Sequence, residues 1–247
     1  MQLENKYVSF AIYGKIQKYL NILEYNIRIL TKYNYKVVLY CDIENIDFLK
    51  SYFPTILIMN GNKYGLSNKM LWRLNPLFDN FAYALFPRDA DSKITDREIF
   101  LMQDFILSNK NFHIIRDHEL HFMPIMGGLF GLKKQIYYIF KQERIFKKLK
   151  KVKNLYNYDQ LFLSDYIYPI VLESSLIHTS SYSYKNEPHI EITKSLEYCG
   201  MYDNLDVAKF NHKIDYLNII NRKPIYYIIA KLFRYKWFLF IKKSIEK

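Results

Sequence analysis

Phe86-Pro87-Arg88-Asp89-Ala90-Asp91-Ser92-Lys93 is the stretch on which the fold turns. An apolar run, Phe81 to Phe86, leads into it and has the length and composition of a short buried strand. Thr95-Asp96-Arg97-Glu98 follows with the Thr-x-x-Glu spacing of a capping box, a helix start. Strand, acidic turn and helix in that order are the grammar of a site at a strand end. Asp89 and Asp91 lie one residue apart, so their charges repel unless something offsets them. A divalent cation is the usual counter-charge, and such cations commonly arrive with phosphate oxygens. Aspartate is also an ordinary turn former, and two solvated turn residues would explain the pair without any ligand.

The 247-residue chain is 50% hydrophobic, enough to bury the core of one α/β domain and too apolar for a disordered chain. Its formal net charge of +12 predicts an anionic partner: phosphate-bearing substrates, an anionic membrane or a nucleic acid. No recognised nucleic-acid motif accompanies the charge, which counts against the last of these. Cys41 and Cys199 are the two cysteines, so a disulfide framework and a cysteine metal cluster are excluded. A reducing compartment is the simpler setting. Met1 to Lys6 lacks the charged-then-apolar layout of a signal peptide, and no uninterrupted run approaches the ~20 apolar residues of a spanning helix. The expected location is cytoplasmic, peripheral to a membrane face at most.

Tyr7 to Tyr13, Lys36 to Cys41, Thr55 to Met59, Phe112 to Ile115 and Ser175 to His178 read as further strands. Ile16, Leu20, Leu23, Ile27 and Leu30 recur at helical spacing, as do Ile99, Met102 and Ile106. Met70 to Leu74 reads as helical and ends at Asn75-Pro76, because the residue before proline avoids the helical region. Lys133 to Lys153 reads as one helix rich in Lys and Arg, whose charged face meets solvent, an anionic bilayer or a nucleic acid. Tyr158 to Tyr168 reads as an apolar helix ended by Pro169. Strands alternating with helices predict a mostly parallel sheet, with ligands at the carboxyl ends of its strands. Gly14, Asp42 and the run Arg116-Asp117-His118 fall on that edge. At Gly127-Gly128 the backbone can approach a ligand closely. His118 and His121 lack the further ligands a zinc site needs. Asp42 and Asp159 both suit a helix N-cap, and Asp117 suits a loop cap.

Several of these groups, in collinear order, resemble a family of GT-A-fold glycosyltransferases: Arg88-Asp89-Ala90-Asp91-Ser92, then Arg97-Glu98, then Phe112 to His118 with His121, then Ile125-Met126-Gly127-Gly128-Leu129-Phe130-Gly131. The resemblance extends upstream to Tyr7 to Gly14 and Met70-Leu71-Trp72-Arg73. Downstream it takes in Tyr158 to Leu163, Ile167-Tyr168-Pro169, Leu176-Ile177-His178 and Tyr198-Cys199-Gly200-Met201-Tyr202-Asp203, where the cysteine departs from the pattern. It covers most of residues 6 to 205. Members of that family occur in bacterial surface-polysaccharide gene sets and in some large DNA viruses.

The resemblance implies one GT-A-like, Rossmann-related domain over residues 1–221, with a mostly parallel central sheet flanked by helices. It implies a nucleotide diphosphate sugar as donor and a glycan or lipid-linked glycan as acceptor, in surface polysaccharide, lipooligosaccharide or glycoprotein glycan synthesis. Tyr13, Gly14, Asp42, Trp72, Arg73, Arg88, Asp89, Arg116, His118, Gly127 and Gly128 would bind the donor. Asp89 and Asp91, with His178 as third ligand, would hold Mn²⁺ or Mg²⁺. Asp159, with Gln160 and Asp117, would be catalytic. In an inverting enzyme Asp159 is the general base; in a retaining one Asp159 or Gln160 supports the oxocarbenium-like transition state. The polar segment Thr179 to Asn186 would fold over the donor. Residues 222–247, beyond the resemblance, read as a basic aromatic helix that lies on an anionic membrane surface or packs on the domain. Two other classes compete: a sugar nucleotidyltransferase, which releases pyrophosphate, and a basic nucleic-acid-binding protein without catalysis.

Overall fold

In the computed structural model, which describes residues 5–118, 121–155, 157–180, 183–184 and 187–201, each expected strand forms, Lys36–Cys41 with the expected bounds and the others with shifted ends. The strands are β1 (Lys6–Ile12), β2 (Lys36–Cys41), β3 (Leu57–Asn60), β4 (Ala84–Arg88), β5 (Phe112–Arg116), β6 (Phe130–Lys133), β7 (Ser175–Thr179) and β8 (Ile190–Glu191). They make one sheet in the order β3-β2-β1-β4-β6-β5-β7-β8. All neighbours are parallel except β6, which runs antiparallel between β4 and β5. The helices are α1 (Gln17–Lys32), α2 (Ile46–Tyr52), α3 (Pro76–Asp79), α4 (Asp96–Leu107), α5 (Tyr137–Lys141), α6 (Glu143–Lys150), α7 (Tyr158–Phe162) and α8 (Tyr168–Val171). This is the single, mostly parallel α/β sheet flanked by helices that the GT-A resemblance implies.

Alternation along the strands sends successive side chains to opposite faces. Val8, Phe10 and Ile12 of β1 join Leu39, Phe86, Leu23 and Phe105 in a core under α1 and α4. Ala11 faces the other core, with Trp72, Phe112, Phe130, Phe140, Leu149 and Ile167. Every residue of β4 and β5 is buried, as expected for strands covered on both faces. Burying one side chain such as Phe112 or Phe130 contributes roughly 1.5–3 kcal/mol.

Four local expectations are corrected. Strand β4 runs on through Pro87 to Arg88, with Pro87 in register with Ser9 of β1, so the strand carries the chain up to Asp89. Lys69–Leu74 is a 3-10 helix, and Asn75-Pro76 opens α3 instead of ending a helix, since proline suits a first helical turn. Lys133 to Lys153 is not one helix: Lys133 closes β6, a 3-10 turn and α5 follow, and the chain breaks at Gln142 before α6. Pairing of Phe130–Lys133 with two neighbouring strands outweighs the helix propensity of the lysines. Pro169 does not end its helix: a π turn at Leu163–Ile167 lets the path continue into α8, with Pro169 in the first turn.

No helix of the described residues is long and apolar enough to cross a membrane. The expected helix at 222–247, together with Tyr202 and Asp203, lies outside the described residues. Ser181, Tyr182, Lys185 and Asn186 of the expected lid also lie outside them.

Candidate functional site

Asp89 follows directly on β4, at the carboxyl edge of the sheet. Its carbonyl accepts the Ser92 amide at 3.3 Å, which turns the chain. Asn26, buried in α1, pins that turn: its Nδ2 donates to the Ser92 carbonyl at 2.8 Å and its Oδ1 accepts the Ile94 amide at 2.9 Å. The Thr95 hydroxyl accepts the Glu98 amide at 3.2 Å, so the expected helix cap forms. The Glu98 carboxylate instead pairs with Arg88.

A cavity of about 400 Å³ opens here, with Tyr13, Lys18, Arg73, Asp89, Asp91, His118, Gly127, Gly128, Asp159, Gln160 and Tyr198 among its lining. The buried guanidinium of Arg73 joins its two sides, pairing through Nη1 with Asp89 and donating from Nη2 to Asp159 Oδ2 at 2.6 Å. Burial works against the Arg73 charge, but Asp89 and Asp159 outweigh it and hold the guanidinium pKa above its ordinary value. Asp159 is 1% exposed. Burial raises its carboxyl pKa, Arg73 opposes the rise and the Asp89 charge adds to it. Among the described residues its Oδ1 has no hydrogen-bond partner. Asn157 in the left-handed region at φ 66° is the residue that precedes α7, so Asp159 is not its N-cap. The Gln160 side chain donates to Asn157 Oδ1 at 3.0 Å.

Gly127 and Gly128 are glycines for want of room. A Cβ at Gly127 would lie 2.5 Å from Asp159 Oδ2 and 2.7 Å from Arg73 Nη2; one at Gly128 would strike Asp89 Oδ2. Asp91 stands exposed at the rim, its carboxyl raised by partial desolvation and then by the Asp89 charge. Burial pushes the Tyr13 phenol up to about 12, and its ring meets Trp72 edge-on at 6.4 Å. On the far side the His118 and Tyr198 rings meet at a tilt of 31°, their centroids 4.3 Å apart.

Asp42 and Trp72 fall in a neighbouring depression with Glu44, Asn60 and Asn62. Asp42 accepts from Lys69 Nζ at 2.5 Å and makes no side-chain cap bond. Trp72 is buried over Gly61 and donates from Nε1 to the Leu66 carbonyl at 3.1 Å. Gly14, at φ 72°, supplies the left-handed turn out of β1.

Four expected site residues are structural instead. Arg88 is buried, paired with Glu98, and donates to the Phe130 carbonyl at 2.7 Å, tying β4 to β6 and α4. Arg116 is fully buried and paired with Glu187, under the Tyr184 ring. Both Asp117 oxygens accept from Arg97, at 2.6 and 2.8 Å, and Oδ2 also accepts the Cys199 amide at 3.0 Å. Burial would raise the Asp117 pKa, but these donors hold it below the ordinary carboxylate value. None of the three lines the cavity. His178 is not beside Asp89 and Asp91: its two ring nitrogens meet His113 at 2.9 Å and Asp104 at 3.0 Å. No group of three or more His, Cys, Asp or Glu among the described residues could hold a metal.

Sequence reasoning missed Lys18 and Asn26, and placed Tyr198 in the resemblance's closing motif without a role. Asn26 had a signal: a polar residue three positions after Leu23, on the apolar stripe of α1.

No protein-family model and no curated protein matches the chain. Solved structures do. S. aureus TarS 1-349 matches at 12% identity with a TM-score of 0.45, over 70% of this chain; the chain spans 57% of that one. Mannosyl-3-phosphoglycerate synthase from Rubrobacter xylanophilus matches at 6% identity and a TM-score of 0.47, over 89% of this chain and 74% of its own. A 4-diphosphocytidyl-2C-methyl-D-erythritol synthase from Anaerococcus prevotii matches at 12% identity and 0.46, over 85% and 97%.

Proposed function

We propose that the chain is a nucleotide-sugar glycosyltransferase working in the Asp89–Asp159 cavity, with a glycan hydroxyl as acceptor. The observation that supports this most is the buried Asp159 carboxylate, oriented by Arg73 through one oxygen and unpartnered at the other. A carboxylate so held is suited to accept the proton of an acceptor hydroxyl. That hydroxyl oxygen attacks the anomeric carbon, the bond from carbon to phosphate oxygen breaks, and the nucleoside diphosphate leaves with the bonding electrons. Arg73 fixes the spacing of Asp89 and Asp159, and Gly127 and Gly128 keep the backbone against them. Gln160 lines the same wall.

Asp89 and Asp91 would hold Mn²⁺ or Mg²⁺. Two observations suit them to it: the Asp89 side chain remains 44% exposed despite its pairing, and the Asp91 carboxyl, raised first by desolvation and then by the Asp89 charge, would gain from a nearby cation. With His178 engaged elsewhere, donor oxygens and water would complete the shell. When bound, the cation would neutralise charge developing on the leaving diphosphate.

A thermal-shift screen of nucleoside diphosphates, triphosphates and nucleotide sugars, each with and without Mn²⁺, tests the proposal. Binding to the folded state alone adds about 2.7 kcal/mol at a hundredfold excess over Kd. A metal-dependent rise in Tm with the diphosphates and sugars of one base is expected. A response to triphosphates alone would move the chain to the nucleotidyltransferases.

A further inference from the structure

Between Lys141 and Lys153 the chain carries seven basic residues and one acidic residue, Glu143, which already pairs with Lys147 at 2.5 Å. Six of the seven are exposed and Lys148 is half-buried. The cavity does not use them. Three of these lysines lie over half-buried aromatic rings: Lys148 over Tyr166 at 4.0 Å, Lys150 over Phe146 at 4.7 Å and Lys153 over Tyr158 at 6.0 Å. The segments before and after α6 add exposed apolar side chains, Tyr138 at 60% and Leu155 at 53%. This basic, aromatic surface is bound to the wall of the cavity. Ser67 Oγ donates to the Lys150 carbonyl at 3.0 Å, Asn68 Nδ2 to the Lys153 carbonyl at 2.8 Å, and the Lys69 amide to Asn154 Oδ1 at 3.1 Å. Lys69 then opens the 3-10 helix that carries Arg73, and four residues after Lys153 the chain reaches Asn157 in the cavity lining.

We infer that the Lys141–Lys153 surface docks on an anionic lipid bilayer and holds the cavity at the membrane surface. The chemistry favours lipid over nucleic acid on two counts. The rings carry the chain's own ammonium groups over them, so they are less available to stack on bases. Exposed Leu155 has no role on a phosphate backbone or against a base, whereas at a headgroup boundary Leu155 and the Tyr138 ring enter and the lysine heads stay in water. The inference is independent of the reaction performed in the cavity.

The test is co-sedimentation of the full chain with vesicles of phosphatidylcholine alone and of phosphatidylcholine mixed with phosphatidylglycerol. Binding to the mixed vesicles only, reversed by salt, is expected. Arg144, Lys147 and Lys151 share one helix face and lie outside the ring contacts, so the triple variant Arg144→Gln/Lys147→Gln/Lys151→Gln keeps its Tm. At roughly fivefold per basic residue near an anionic surface, it loses about a hundredfold in vesicle partition. Unchanged partition in the triple variant would overturn the inference by placing the contact elsewhere in the chain. So would equal binding to neutral vesicles, or no binding by the wild type. Tighter binding to an oligonucleotide than to the mixed vesicles would assign the surface to nucleic acid and overturn it too.

Discussion

Arg73 holds two carboxylates, Asp89 and Asp159, that would otherwise repel each other across the cavity. Arg73→Ala strips the buried Asp159 of its partner, so that the carboxyl is left unpaired or takes up a proton, a change that costs up to about 3–5 kcal/mol and is read by denaturant unfolding. A loss under about 1 kcal/mol would mean that the pair does not form. Asp159→Asn keeps the shape and removes the base: turnover should fall by roughly 10²–10⁴-fold with donor affinity little changed. Asp89 stood out in the sequence because an acidic turn between a strand and a helix start is a local feature, whereas Arg73 and Asp159 were expected beside it only through the family resemblance; the fold brings all three to one cavity. Arg88, Arg116, Asp117 and His178 misled because the partners that occupy them, Glu98, Glu187, Arg97 and His113, lie 10, 71, 20 and 65 residues away. The histidine pair carries its own test. His178 donates to the Asp104 carboxylate and accepts from His113. Burial, reinforced by the neighbouring His178, Arg88 and Lys133, holds the His113 pKa well below the ordinary value. Burial also lowers that of His178, against the pull of Asp104. Both rings therefore take up a proton less readily in the folded chain than in the unfolded one. As pH falls below the unfolded value of about 6.5, the unfolded chain gains protons that the folded one refuses. The pair's effect is then to reduce stability, by up to about 1.4 kcal/mol per pH unit for each ring, and above that pH no penalty applies. An imidazole NMR titration should find both rings protonating below the ordinary histidine value; a ring that titrates above it at either position would contradict this.

Strand β6 and the turn before it show what an element contributes beyond its residues. Gly128 lies against Asp89, and its neighbour Gly127 against Asp159 and Arg73, so this short stretch sets the depth of the cavity. Gly128→Ala should leave the fold intact and push the Asp89 side chain aside. A displacement of about 1 Å is worth on the order of a hundredfold in rate. Wild-type turnover with an unshifted Tm would show that Asp89 does not need its present position. Element boundaries were less legible than elements. The apolar pattern of Phe130 and Leu132 is too short to announce a strand beside a long run of lysines, and its pairing partners are distant in sequence. Likewise the π turn at Leu163–Ile167 leaves no mark in composition, so Pro169 reads as a stop when the helical path in fact continues.

Across the whole molecule, the order of the sheet explains why the cavity lies where it does. β1 and β4 are adjacent at its centre, and their carboxyl ends deliver Tyr13 and Asp89 to one place while α1 pins the acidic turn from below. The alternation of strands and helices was enough to predict that edge. The antiparallel insertion of β6 was not, because it depends on which strands meet. The net charge of +12 divides between uses: Arg88 and Arg116 neutralise buried acids, while Lys141 to Lys153 face outward. The most direct measurement is product analysis with nucleotide sugars and a glycan acceptor, comparing the wild type with Asp159→Asn in the presence of Mn²⁺. Release of nucleoside diphosphate together with a glycosylated acceptor, lost in the variant, is the predicted result. Release of pyrophosphate from a triphosphate, or equal product from both proteins, would contradict a sugar transfer centred on Asp159.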